Sequence, residues 1–192
     1  MIRKRQMEKI VLASASPRRK ELMRKITPSY TVLVAEGEEN AQGETPKETA
    51  ILRAREKALW VANRIPESHA VIGCDTVVAL GNETLGKPEN EEDAVRMLSL
   101  LSGATHRVYT GVCILYQGKE YLFAGDTAVT FHPLTGEEIR AYVRKFAPLD
   151  KAGAYGIQDG FPLVKEIVGS YDNVVGFPTE LVSEMLKGAG VL

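Results

Sequence analysis

The sequence predicts an α/β fold: a mixed sheet with flanking helices, arranged as two lobes around a cleft. Three observations carry this. Strand-like and helix-like patterns alternate along most of the chain. Residues 107–116 and 120–131 read as two long strands joined at Gln117-Gly118-Lys119, an antiparallel hairpin. Residues 70–80 are apolar on both faces, as a central strand is. A simple doubly wound parallel sheet would not contain the hairpin. The 192 residues are read as one domain spanning 1–192, long enough to bury a core.

The elements follow in order. The run Ile10-Val11-Leu12-Ala13 is a buried strand. Ser16 is a good N-cap and Pro17 a good first helical residue, so a helix begins there. A strand is expected near 30–35, followed by the acidic loop Glu36-Gly37-Glu38-Glu39. Thr45-Pro46-Lys47-Glu48 reads as a capping box. It opens a helix to about Asn63, with Ile51, Ala54, Ala58 and Val61 on one face. After the central strand, Gly81-Asn82 turns the chain, and a helix with an acidic first turn runs from about Glu91 to Leu101. Beyond the hairpin, Thr135-Gly136-Glu137-Glu138 caps a short helix ending near Phe146. A glycine-rich loop over 150–160 leads to a short strand near 163–168, and a last helix runs from about Pro178 to Lys187.

Charge and cysteine usage narrow the function classes. The 24 basic and 25 acidic residues leave a net charge of −1, which argues against generic nucleic-acid binding. Cys74 and Cys113 form no metal or disulfide pattern, which points to a reducing cytoplasm. The apolar stretch near the start, residues 10–13, is too short for a secretion signal. No segment approaches a membrane span. His69, His106 and His132 show no zinc spacing and receive no role.

The junction Ser14-Ala15-Ser16-Pro17-Arg18-Arg19 is the most informative stretch. It puts two arginines in the first helical turn, where free N–H groups already carry positive partial charge. That is unfavourable unless an anion sits among them, so the junction suits a polyphosphate; an exposed basic helix start is the plainer alternative. Asp75 stands inside the central strand, where a carboxylate is costly unless a metal, a cation or hydrogen bonds offset the burial. It is a candidate base or magnesium ligand, against the alternative of a strand-end aspartate bonded to backbone. Residues 81–88 nearly match a P-loop, but Pro88 replaces the Ser/Thr that binds magnesium and removes an N–H, so a P-loop NTPase is rejected. Lys87 keeps the capacity to meet a phosphate as a point charge. Glu38 and Glu39 suit a solvated turn, or a second carboxylate beside Asp75 for magnesium. Lys57 by itself is a helix lysine, and Trp60 reads as packing. In the glycine-rich loop Gln158 can offer both a donor and an acceptor to a base edge.

The ordered set S-A-S-P-R-R-K-E-L, G-C-D-T, L-G-K-P, L-S-G-x-x-H and D-K-A-G-A-Y-G-I-Q, from Ser14 to Gln158, resembles the Maf family of nucleotide pyrophosphatases. The resemblance implies an inosine triphosphatase-like α/β fold. It also implies a cytoplasmic, homodimeric hydrolase that cleaves nucleoside triphosphates to monophosphate and pyrophosphate with a divalent metal, magnesium or manganese. The double arginine, the Asp-Thr pair and the Ile-Gln ending are similar to the branch acting on dTTP and UTP, with modified pyrimidine nucleotides as further candidates. By that resemblance Asp75 is the proton acceptor, and Arg19, Thr76 and Gln158 set base preference. Ser14, Arg18, Lys57 and Lys87 match substrate-pocket positions, Glu39 matches a loop carboxylate, and Glu39 and Asp75 form the expected metal pair. Two positions depart from the family pattern: Cys74 stands in place of the usual alanine, and Asp159 in place of a glycine. The same family name is associated with inhibition of septum formation. The alternative function is therefore a nucleotide-binding regulator of cell division that works through partner contacts.

Overall fold

A computed structural model of the chain describes residues 9–37 and 40–192. Its strands are β1 (Ile10–Ala13), β2 (Thr31–Val32), β3 (Ala70–Leu80), β4 (Glu83–Leu85), β5 (Thr105–Tyr116), β6 (Lys119–Phe131) and β7 (Val164–Val168). The helices are α1 (Pro17–Ile26), α2 (Pro46–Ala62), α3 (Glu91–Leu101), α4 (Gly136–Phe146), α5 (Tyr171–Val175) and α6 (Thr179–Gly188). The strands form one mixed sheet in the order β2-β1-β3-β5-β6-β7, with β4 also pairing with β3. β1 runs parallel to both β2 and β3, whereas β3, β5, β6 and β7 pair antiparallel in succession. The expected mixed sheet is therefore present, with β3 at its centre.

Local sequence accounts for most boundaries. Ser16 caps α1, its hydroxyl accepting from the Arg19 N–H at 3.4 Å. Thr45 caps α2 by accepting from the Glu48 N–H at 3.1 Å. The reciprocal half of that capping box is displaced by one residue, because the Glu48 carboxylate accepts from the Glu44 N–H at 2.9 Å. The box at Thr135 and Glu138 closes in both directions. The β5–β6 hairpin turns at Gln117 and Gly118, with φ of +49° and +71°, so two left-handed residues match the twist of the strands.

Three differences from expectation stand out. β2 has two residues, not the run expected near 30–35. The β4 strand and the α5 helix were not anticipated. On α2 the buried face is Ala50, Ala54, Ala58 and Val61, while Ile51 is half-buried.

Packing divides into three clusters. On one face of the sheet, α2 lays its alanines against β1 and β3. The other face carries two groups. Leu12, Ile72, Val112, Phe177 and Leu186 gather under α1 and α6. Val78, Leu98, Val108, Phe131 and Tyr142 gather under α3 and α4. The cleft lies between these two groups, at the level of Thr76 and Val78 of β3. Cys74 packs in one face's cluster and Cys113 in the other's, so the sheet separates the two free thiols.

Candidate active site

Strand pairing itself creates the site. β1 follows β3 only as far as the Ala13–Gly73 pair, and β4 takes up the same strand at the Leu85–Val78 pair. Over residues 74–77 that side of β3 has no strand partner among the described residues. Successive side chains of a strand point to opposite faces, yet at this gap Asp75 and Thr76 both line one cavity of about 470 Å³. The cavity sits beyond the carboxyl end of parallel β1, where the chain turns into α1.

Asp75 is 7% exposed. The Lys57 ammonium, reaching over from α2, donates to its Oδ1 at 2.8 Å and to the Cys74 carbonyl at 3.4 Å. A cation is thus one of the groups that offset the buried carboxylate. Burial pushes the neighbouring Cys74 thiol up to about 12, so that sulfur stays protonated and unreactive at neutral pH.

The two arginines of α1 diverge. Arg19 folds inward: its Nε donates to the Gly176 carbonyl at 2.8 Å, Nη2 to Thr76 Oγ1 at 3.0 Å, and Nη1 to Ser14 Oγ at 3.5 Å. Arg18 stays at the mouth, with Nη1 3.4 Å from Asp150 Oδ2. Asp150 also accepts from Lys151 at 3.0 Å. Burial pushes the Asp150 carboxyl up, but the Lys151 hydrogen bond and the charges of Lys151 and Arg18 outweigh it and hold the group below its ordinary value. Ser14 is 6% exposed and lies behind the lining, bonded to the Ser16 N–H at 3.2 Å; Ser16 is the serine that lines the cavity.

Lys87 and Gln158 both line the cavity and both are exposed. The Gly153 N–H donates to the Gly86 carbonyl at 3.0 Å, which ties the glycine-rich loop to the turn bearing Lys87. Gln158 sits on a single 3-10 turn, Ile157–Asp159. That turn is clamped by buried Tyr142, whose hydroxyl donates to Asp159 Oδ2 at 2.5 Å and accepts from the Gly156 N–H at 2.8 Å. Asp159, one of the two departures from the family pattern, therefore has a definite structural partner. Glu39, the expected second metal ligand, lies outside the described residues. Among those residues no three His, Cys, Asp or Glu side chains cluster as a metal site.

Three charged lining residues received no role from the sequence reading: Arg53, and Asp150 and Lys151 of the loop motif. Arg53 precedes Lys57 by one helical turn and so shares its face, a spacing that could have marked it. Its Nε donates to the Ala41 carbonyl at 3.1 Å. Lys151 carries no periodic signal; tertiary packing leaves its side chain only 12% exposed. In all, Arg18, Arg19, Arg53, Lys57, Lys87 and Lys151 face Asp75 and Asp150 across the described lining. Six cations against two carboxylates make a site for a polyanion.

The chain is similar to several known proteins. A 45% identical protein of Agathobacter rectalis, named dTTP/UTP pyrophosphatase, is matched over 96% of this chain and 99% of its own. A Thermococcus gammatolerans protein of the same name is 49% identical over 90% of this chain and 92% of its own. The fold is similar to that of the Staphylococcus aureus Ham1 protein, with a TM-score of 0.52 at 19% identity over 94% of this chain and 98% of that one. It is likewise similar to a HAM1 protein from Coxiella burnetii, with a TM-score of 0.53 at 15% identity over 95% and 100%. These two likenesses bear on the fold alone. The model of the family described as Maf-like protein matches residues 9–189, and on that extent of match the chain belongs to the Maf family.

Proposed function

We propose that this chain is a nucleoside triphosphate pyrophosphatase that hydrolyses dTTP and UTP to the nucleoside monophosphate and pyrophosphate. The observation that carries it is the buried Asp75 carboxylate in a cavity whose charged lining is otherwise six cations and the exposed Asp150. The names of the relatives support the substrate choice, and they favour an enzyme over a nucleotide-binding regulator of division. Modified pyrimidine nucleotides fall within the same reading, since they present the same triphosphate.

The chain's residues suggest the following division of labour. Water attacks the α-phosphorus, the bond to the bridging oxygen breaks, and pyrophosphate leaves. Asp75 accepts the water's proton, its carboxylate oriented by Lys57. Arg18, Lys87, Arg53 and Lys151 offset the charge that builds on the leaving phosphates. Arg19, Thr76 and Gln158 read the base. A magnesium or manganese ion fits this donor set, since such ions need one or two carboxylates and take the remaining ligands from phosphate and water. Asp75 would hold it, with Glu39 as the second carboxylate. When bound, the ion lowers the pKa of a water and neutralises phosphate charge. We further propose a cytoplasmic homodimer. No helix among the described residues is long and apolar enough to cross a membrane.

The test is pyrophosphate release from a panel of ribo- and deoxynucleoside triphosphates. Selective turnover of dTTP and UTP is expected, with Asp75→Asn lowering kcat by about 10²–10⁴-fold while leaving the protein folded. Chelation of divalent ions should stop turnover and added magnesium should restore it. Failure of every normal and modified pyrimidine triphosphate to react would refute the reading.

A further inference from the structure

Resting on the pyrophosphatase reading, a deeper feature of base choice lies one strand behind the cavity wall. Thr76 and Thr110 are direct cross-strand partners on β3 and β5, with their hydroxyl oxygens 3.0 Å apart. Thr110 is fully buried, and its Oγ1 is also 2.9 Å from the Asn173 carbonyl on α5. A carbonyl can only accept, so the single Thr110 proton goes to Asn173. The Thr76–Thr110 contact is then a hydrogen bond only if Thr76 is its donor. The Arg19 guanidinium can only donate, so it takes one lone pair of Thr76 Oγ1, at 3.0 Å. A hydroxyl has one proton and two lone pairs. The proton points at Thr110, one lone pair at Arg19, and what remains for the cavity is a lone pair.

The far end of this relay is rigid. Asn173 is fully buried, and its amide donates to the Val108 carbonyl at 3.0 Å and to Thr127 Oγ1 at 2.9 Å. The Asn173 carbonyl accepts from the Gly176 N–H as well, at 3.1 Å. It therefore cannot swing away to release the Thr110 proton.

We propose that Thr110 is a positioning residue that fixes Thr76 as a hydrogen-bond acceptor toward the base, so that the site selects pyrimidines carrying an imino N3–H. Uracil and thymine present that donor. Cytosine presents a bare N3 lone pair, which meets the Thr76 lone pair as repulsion. Without Thr110, the Thr76 hydroxyl can rotate and donate, and the distinction weakens.

The experiment compares kcat/KM for UTP and CTP in the parent, Thr110→Val and Thr110→Ser, with each protein's melting temperature measured alongside. Thr110→Val keeps the shape but removes the relay, and should lower the UTP-over-CTP ratio by about tenfold, the worth of one hydrogen bond. Thr110→Ser restores the hydroxyl and should restore the ratio, which loss of packing alone would not explain. A second measurement needs no variant. Raising the pH ionises the imino group, so parent kcat/KM for UTP should fall on an alkaline limb. That limb should move to lower pH with 5-fluoro-UTP, whose imino group is more acidic, and be missing with CTP. Four outcomes overturn the proposal: equal use of UTP and CTP by the parent, an unchanged ratio in folded Thr110→Val, a lowered ratio that Thr110→Ser fails to restore, or an alkaline limb that ignores the fluorine. Absence of turnover of every normal and modified pyrimidine triphosphate by the parent refutes the pyrophosphatase reading itself, and is distinct from all four.

Discussion

Tyr142 shows how one side chain on α4 reaches a loop that helps to form the cavity. Its hydroxyl is buried between the Gly156 N–H and the Asp159 carboxylate. Burial, then the Asp159 contact, push its ionisation far above the ordinary tyrosine value, so it remains a donor at any working pH. Gly156 fits because a Cβ there would lie 2.8 Å from both Asp159 carboxylate oxygens. Tyr142→Phe strands a buried N–H and removes the carboxylate's donor, and should cost about 1–3 kcal/mol in urea unfolding. Asp159→Asn keeps an oxygen to accept from Tyr142 and should lose less. Equal losses from the two would show that charge, not the hydrogen bond, holds the turn. The sequence marks Asp159 as unusual, but its partner lies 17 residues away on a different element. The same holds for Lys57: by itself it reads as a helix lysine, with no sign that a carboxylate stands opposite. The family resemblance assigns Lys57 to the substrate pocket and Asp75 to proton transfer, but their ion pair is visible only in the structure.

Elements defined by their own residues were legible, and elements defined by their neighbours were not. Ser16-Pro17, Thr135 with Glu138, and Gln117-Gly118 each fix a boundary through local hydrogen bonds or backbone preference, and those boundaries stand. α5 has five residues and little intrinsic helicity; Asn173 holds it in place through bonds to β5 and β6. β2 and β4 are two and three residues long, too short for alternation to show. The approach of α2 to the sheet likewise depends on residues outside the helix. At Gly111 a Cβ would stand 2.2 Å from the Ala50 carbonyl carbon and 2.3 Å from its oxygen, both backbone atoms. Gly111→Ala should therefore push α2 outward and destabilise the protein by about 3 kcal/mol or more in urea unfolding. Because α2 carries Arg53 and Lys57, the fraction that still folds should also turn over more slowly. Gly188→Ala is the control: it meets nothing within 4 Å and should change stability by no more than about 0.5 kcal/mol. A neutral Gly111→Ala would mean that the helix does not lie against β5 as described.

One contribution to the whole molecule's response to acid comes from His106, a residue given no role in the chemistry. His106, 1% exposed, sits edge-on to Phe131 and Tyr155 with ring centroids at 5.0 and 5.4 Å. Its Nε2 meets the Tyr155 hydroxyl at 2.7 Å. Burial disfavours the imidazolium and lowers the pKa from 6.5 to about 4. Between those values the unfolded chain binds a proton that the folded chain refuses. Stability from neutral His106 is thus fully present above pH 6.5 and is lost as pH falls toward 4. Taking 6.5 and 4 as the two values, the loss between pH 7 and pH 5 is about 2 kcal/mol. Urea unfolding at those two pH values measures it directly. His106→Gln removes the titration and should flatten the difference, although its own stability at pH 7 falls because the packing is poorer. Subtracting the variant's pH response from the parent's isolates this one group from every other carboxyl and histidine. Matching responses would show that the ring is hydrated or paired when charged. The effect is global because His106 lies in the cluster under α3 and α4, which forms one side of the cleft. Tyr155 lines the cavity and shares that cluster, so acid that opens it should also weaken the site.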